Sequence, residues 1–218
     1  MAALDGPRRA PRSGGPARQL VVLCHGLGAD GNALIDLAPV LAQGLPDAAF
    51  VFPHAAEPYE ETPEFGRQWF SMADHTPAVL EAGVRRAAPL LGQFIDAELV
   101  RLNLSATDCA LLGFSQGAMM VLHAGLRHGT PLGAVLAFSG ALLGTAGLER
   151  EITGHTPVLL VHGELDDVVP IDRSRDAERA LRAAGVPVES LWCPGLDHSI
   201  DEAGMTAAIG FLRRAFAV

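Results

Sequence analysis

The chain has 218 residues, 49% of them hydrophobic, and a formal net charge of −9. A length of this order suits one sizeable core, because single α/β domains commonly run to roughly 200–250 residues. The acidic excess works against binding a phosphate backbone and excludes nucleic acid as the main partner.

Residues 1–18 are rich in Pro, Gly and Arg and hold no apolar core. They read as a disordered tail and not as a secretory signal, which leaves 19–218 as a single domain. The run Gln19–Cys24 is almost continuously apolar, as in a strand buried on both faces. Residues 25–31 form a glycine-rich turn, and Asn32 is placed to cap a helix running to about residue 43. Residues 48–52 predict a second strand, stopped by Pro53. A long irregular stretch follows over 54–77 and contains Trp69 and Phe70. A loop of that length is commonly functional or disordered, and its aromatics favour function. Residues 78–102 predict a long helix that Pro89 kinks or divides. Next come a strand over Cys109–Phe114, a helix over 116–128, and strands over 132–138 and 158–161. A helix over 172–184, a strand over 188–192 and a helix over 200–216 complete the chain. This alternation predicts an α/β fold, a mostly parallel central sheet with helices on both faces. Ligands of such sheets bind beyond the carboxyl ends of the strands, so the chemistry should lie in the turns that follow them.

Two uncharged stretches, 109–126 and 132–148, invite comparison with membrane spans. Glycines and polar groups interrupt both, and they read as buried strand plus helix, with no stable membrane insertion. Cys24, Cys109 and Cys193 have no metal-ligand spacing and suit buried thiols in a reducing compartment, so the expected location is cytoplasmic.

The turns do hold chemistry. Gly113-Phe114-Ser115-Gln116-Gly117 fits G-x-S-x-G between a predicted strand and a predicted helix. There a sharp turn lifts the hydroxyl out of the sheet and the glycines make room for it. A serine hydroxyl is a weak nucleophile and needs a base, itself held by an acid. After such a turn the acid and then the histidine follow in chain order. Glu164, Asp166 and Asp167 all lie in the turn after the 158–161 strand, and order alone does not choose among them. His198, among 8 histidines, is the one that follows them at a strand end. The backbone N–H groups of Gln116 and of Leu27, in the first turn, are the expected oxyanion donors. The Gln116 side chain is expected to be dispensable.

A rival reading uses the same first turn. Residues 26–31 match G-x-G-x-x-G, the mark of a dinucleotide-binding protein. However, the second strand ends in Phe52-Pro53-His54, with no acid for a ribose, and Asp30 puts negative charge where a pyrophosphate would sit. A hydrolase-fold binding protein is the other non-enzyme alternative, opposed by the complete set of triad residues.

Five segments together closely resemble the phospholipase/carboxylesterase family, which includes bacterial carboxylesterases and acyl-protein thioesterases. They are His25-Gly-Leu-Gly-Ala-Asp-Gly31, Arg67-Gln-Trp-Phe70, Gly113-Phe-Ser-Gln-Gly-Ala118, His162-Gly-Glu-Leu-Asp-Asp-Val-Val-Pro170 and Gly195-Leu-Asp-His198. The resemblance implies an α/β-hydrolase fold with a compact core and few insertions, and no metal or cofactor. Its H-G-x-x-D-x-x-V-P pattern assigns the acid to Asp166. It also puts the Trp69-Phe70 loop by the active site, so Leu27, Trp69 and Phe70 are expected to line the substrate pocket. Ser71 departs from the family, whose members often have Asp there. The expected activity is that of a serine carboxylesterase, working through an acyl-enzyme on small-molecule esters with an apolar acyl group. The alternative is a thioesterase or lysophospholipase acting on acylated proteins, acyl-CoA or lysolipids. A homodimer is compatible with either.

Overall fold

The computed structural model describes residues 3–218. In chain order the elements are β1 (Arg8–Arg9), β2 (Gln19–Cys24), α1 (Leu37–Gly44), β3 (Ala48–Val51), β4 (Glu57–Pro58) and β5 (Arg67–Gln68). There follow α2 (Pro77–Leu102), β6 (Cys109–Phe114), α3 (Gln116–Leu126), β7 (Ala134–Phe138) and α4 (Leu148–Glu151). The last are β8 (Val158–Gly163), α5 (Asp172–Ala183), β9 (Val188–Cys193) and α6 (Glu202–Ala215). Seven strands make one sheet in the order β1-β3-β2-β6-β7-β8-β9. All neighbours are parallel except β1, which runs antiparallel to β3. β4 and β5 form a separate antiparallel hairpin.

Side chains alternate across each strand, so β2 feeds two cores. Leu20, Val22 and Cys24 pack with Val84 and Ile95 of α2, Val121 of α3 and Leu181 of α5. Val21 and Leu23 pack on the other face with Leu41 of α1 and Phe211 of α6. Both faces of the sheet's centre are therefore covered, which explains why β2, β6 and β7 are apolar without alternation. Among the described residues, no helix is long and apolar enough to cross a membrane.

Four local expectations need correction. The segment read as a disordered tail is largely built into the fold; residues 1 and 2 lie outside the described residues. β1 covers the edge of β3, and the carbonyls of Pro7 and Asp5 accept N–H groups of Phe52 and His54 at 3.0 and 2.8 Å. Arg8 reaches Glu98 of α2 at 2.7 Å, and Arg101 meets the same buried carboxylate from the other side at 2.6 Å. Backbone pairing and two arginines on one buried carboxylate hold a segment whose composition is rich in Pro, Gly and Arg. Asn32 does not open a helix: Asp30 accepts its N–H and caps one 3-10 turn, Gly31–Leu34. The α-helix starts later, so that Pro39 falls in its first turn, where no N–H is required. Pro89 does not divide α2, which runs unbroken for 26 residues; the proline lies on the exposed face, where a freed carbonyl meets water. α3 stops at Leu126, short of the expected residue 128.

Candidate active site

Ser115 sits between β6 and α3 with φ 55 and ψ −119, a backbone setting that L-residues rarely adopt. The flanking glycines are required by space. A Cβ at Gly113 would stand 2.2 Å from the Gly117 carbonyl oxygen, and one at Gly117 would stand 2.0 Å from the Cys24 carbonyl oxygen. The strain turns the serine hydroxyl out of the sheet end, and the backbone at Gly26 passes directly beside it.

The candidate acid and base follow β8 and β9. Asp166 lies in the turn after β8 and His198 in the loop after β9. Backbone bonds brace the two segments: Glu164 N–H donates to the Cys193 carbonyl and Leu165 N–H to the Leu196 carbonyl, each at 2.9 Å. His198 Nδ1 stands 2.7 Å from Asp166 Oδ2. The N–H groups of Val168 and Val169 donate to Asp166 Oδ1 at 3.0 and 2.8 Å. Burial pushes the Asp166 carboxyl up, but the His198 hydrogen bond and these backbone donors outweigh it and hold the group below its ordinary value. The competing carboxylates Glu164 and Asp167 are exposed. On the other side, the His198 ring lies 4.8 Å from the Phe114 ring, next to the serine. Among the described residues, Ser115 and His198 share no hydrogen bond; in unliganded sites such contacts commonly tighten only with substrate.

Leu27 and Gln116 present free amides here. Neither N–H has a backbone acceptor among the described residues. Gln116 is the first residue of α3, where N–H groups lack partners inside the helix and the dipole favours negative charge.

Trp69 and Phe70 are not where the sequence put them. They are 4% and 1% exposed and belong to the core. Trp69 Nε1 donates to the His25 carbonyl at 2.9 Å, and its ring lies 5.3 Å from the His25 ring. His25 in turn is held by the Gly26 carbonyl at Nδ1 and by the Ala55 N–H at Nε2, so its imidazole must stay neutral. Burial lowers its pKa to about 4, consistent with that. Trp69 thus pins the turn that carries Leu27. Leu27 itself is half-buried at the site.

The Gln116 side chain is equally structural, against expectation. It is 1% exposed; Oε1 accepts the Trp69 N–H at 2.9 Å and Nε2 donates to the Phe70 carbonyl at 2.7 Å. Gln116→Ala would strand both buried backbone groups, at about 1–3 kcal/mol each. The expected result is a lower urea midpoint together with a lower kcat for every ester tested; an unchanged midpoint would contradict the clamp.

A cavity of about 400 Å³ has apolar walls from Met72, Leu80, Met119, Leu142 and Val169, with His75, Glu81, Arg173 and Asp176 also lining it. Met119 lies one helical turn after Ser115, and Val169 is a donor to Asp166. Nothing in the sequence marked this cavity, because its walls come from four separate segments.

A model of the phospholipase/carboxylesterase family matches residues 10–216. The chain belongs to that family. Esterase YpfH of Escherichia coli strain K12 is 33% identical, over 91% of this chain and 83% of that protein. A probable inactive carboxylesterase of Oryza sativa subsp. japonica is 32% identical, over 88% of this chain and 81% of that protein. The crystal structure of esterase PE8 superposes with a TM-score of 0.92 at 39% identity, covering 98% of this chain and 100% of that one. The fold is accordingly the α/β-hydrolase fold. One relative is named inactive, so membership alone does not decide activity; the residues of the site do.

Proposed function

We propose that this chain is a serine carboxylesterase in which Ser115, His198 and Asp166 form the catalytic triad. The observation that carries the reading is the 2.7 Å contact of His198 with a buried, ionised Asp166, beside a serine held on a strained elbow. Ser115 Oγ attacks the ester carbonyl carbon while His198 Nε2 takes its proton. Asp166 keeps the imidazole in the tautomer with its proton on Nδ1 and stabilises the cation that forms. The tetrahedral oxyanion accepts hydrogen bonds from the N–H groups of Leu27 and Gln116. The alcohol leaves with the proton from His198, and water, deprotonated by the same imidazole, then releases the acid from Ser115.

The substrate is a small ester whose apolar acyl group occupies the cavity walled by Leu80 and Met119. Buried, unpaired Cys24, Cys109 and Cys193 suit a reducing, cytoplasmic setting. A panel of p-nitrophenyl esters of rising acyl length, run beside matched thioesters, tests both the bond and the pocket. Ester turnover should exceed thioester turnover, and a preference for thioesters would move the assignment to thioesterase. Leu80→Trp, which fills the cavity, should shorten the preferred acyl chain. Each excluded methylene forfeits roughly 0.8 kcal/mol, close to a fourfold loss in kcat/KM. An unchanged length profile would put the acyl group elsewhere.

A further inference from the structure

His162 takes no part in these steps, yet it touches the acid. It lies on β8 with a fully buried side chain. Its Nε2 stands 2.8 Å from the Val169 carbonyl oxygen and 3.1 Å from Asp166 Oδ2, the oxygen that meets His198. On the other side, Nδ1 stands 2.7 Å from Ser174 Oγ on α5, which also lies 3.1 Å from the Gly140 carbonyl oxygen.

The tautomer follows from these partners. A carbonyl oxygen only accepts, so Nε2 carries a proton. At Nδ1 the ring meets Ser174 Oγ, whose hydroxyl donates to the Gly140 carbonyl, so the ring is anchored to α5. Ser174 therefore aims the Nε2 proton at Val169, whose own N–H holds Asp166 Oδ1. Leu165 and Val168 on the same turn are 64% and 63% exposed, so their side chains add little packing to this tie.

We propose that His162 is a positioning residue for Asp166, fixing the 166–169 turn so that one carboxylate oxygen is presented to His198. The proposal rests on the triad reading above. The four N–H groups around the carboxylate divide the work: Val168 and Val169 take Oδ1, His198 takes Oδ2, and His162 steadies the turn from behind while flanking the same oxygen.

The test is steady-state hydrolysis of p-nitrophenyl butyrate by wild type, His162→Ala, His162→Gln and Ser174→Ala, with circular dichroism as the folding control and fluorophosphonate labelling of Ser115 alongside. His162→Ala should lower kcat by about 10²-fold with KM kept within about threefold, the scale on which supporting contacts act. His162→Gln keeps an amide N–H within reach of the Val169 carbonyl and should recover about tenfold of that loss. Ser174→Ala should fall by about five- to tenfold in kcat. A folded His162→Ala enzyme with wild-type kcat, or a glutamine variant no better than alanine, would overturn the proposal. If the alanine variant does not fold, wild-type kcat in both of the others would overturn it. A wild-type protein left unlabelled at Ser115 would instead remove the triad reading, and this proposal with it.

Discussion

Ser115→Ala is expected to abolish ester hydrolysis almost completely while leaving the fold intact. Losing the nucleophile of a triad costs on the order of 10⁶ in kcat, and only catalysis by binding and by the oxyanion donors survives. Alanine removes one oxygen that makes no hydrogen bond among the described residues, and it keeps the backbone of the elbow. The oxyanion amides of Leu27 and Gln116 and the Asp166–His198 pair should persist, so substrate still binds. The check is kcat on p-nitrophenyl butyrate together with the thermal midpoint. A folded variant retaining even a tenth of wild-type turnover would mean that another residue attacks the ester.

Asp166→Asn comes second in size, at on the order of 10⁴ in kcat. The geometry says why the loss is chemical. Asparagine Oδ1 can still accept the Val168 and Val169 N–H groups, so the turn survives and the amide NH₂ falls where Oδ2 met His198 Nδ1. A donor there forces the imidazole proton onto Nε2, and His198 can no longer accept one from Ser115. Glu164→Gln and Asp167→Asn alter exposed side chains and should cost less than about threefold, as surface changes away from such features do. Parallel kinetics on the three variants decide the matter; the reverse ranking would move the acid to a neighbour.

The sheet and the serine turn were legible because their signals are local. β2, β6 and β8 are uninterrupted apolar runs, and the elbow pattern lies in consecutive residues between a strand and a helix. Asp166 needed more, since spacing alone left three carboxylates; burial now separates it from Glu164 and Asp167. What stayed hidden depends on contacts between distant segments. Arg8 is ordinary in sequence and becomes structural by meeting Glu98, 90 positions away. Trp69 and Phe70 were expected to line the pocket, and nothing in their spacing distinguished a pocket wall from buried core. The Gln116 side chain and His162 sit inside recognisable motifs. Their partners, Trp69 and Phe70 for one and Val169 and Ser174 for the other, emerge only when the chain is folded.

The central claim is that Ser115 carries the acyl group between the two halves of the reaction. Quenching turnover of p-nitrophenyl butyrate in acid, then mapping the protein by peptide mass spectrometry, tests it directly. One butyryl group is expected on the peptide containing Ser115 and none in Ser115→Ala. Rapid hydrolysis with no butyryl group at Ser115, or with the group on another residue, would contradict it.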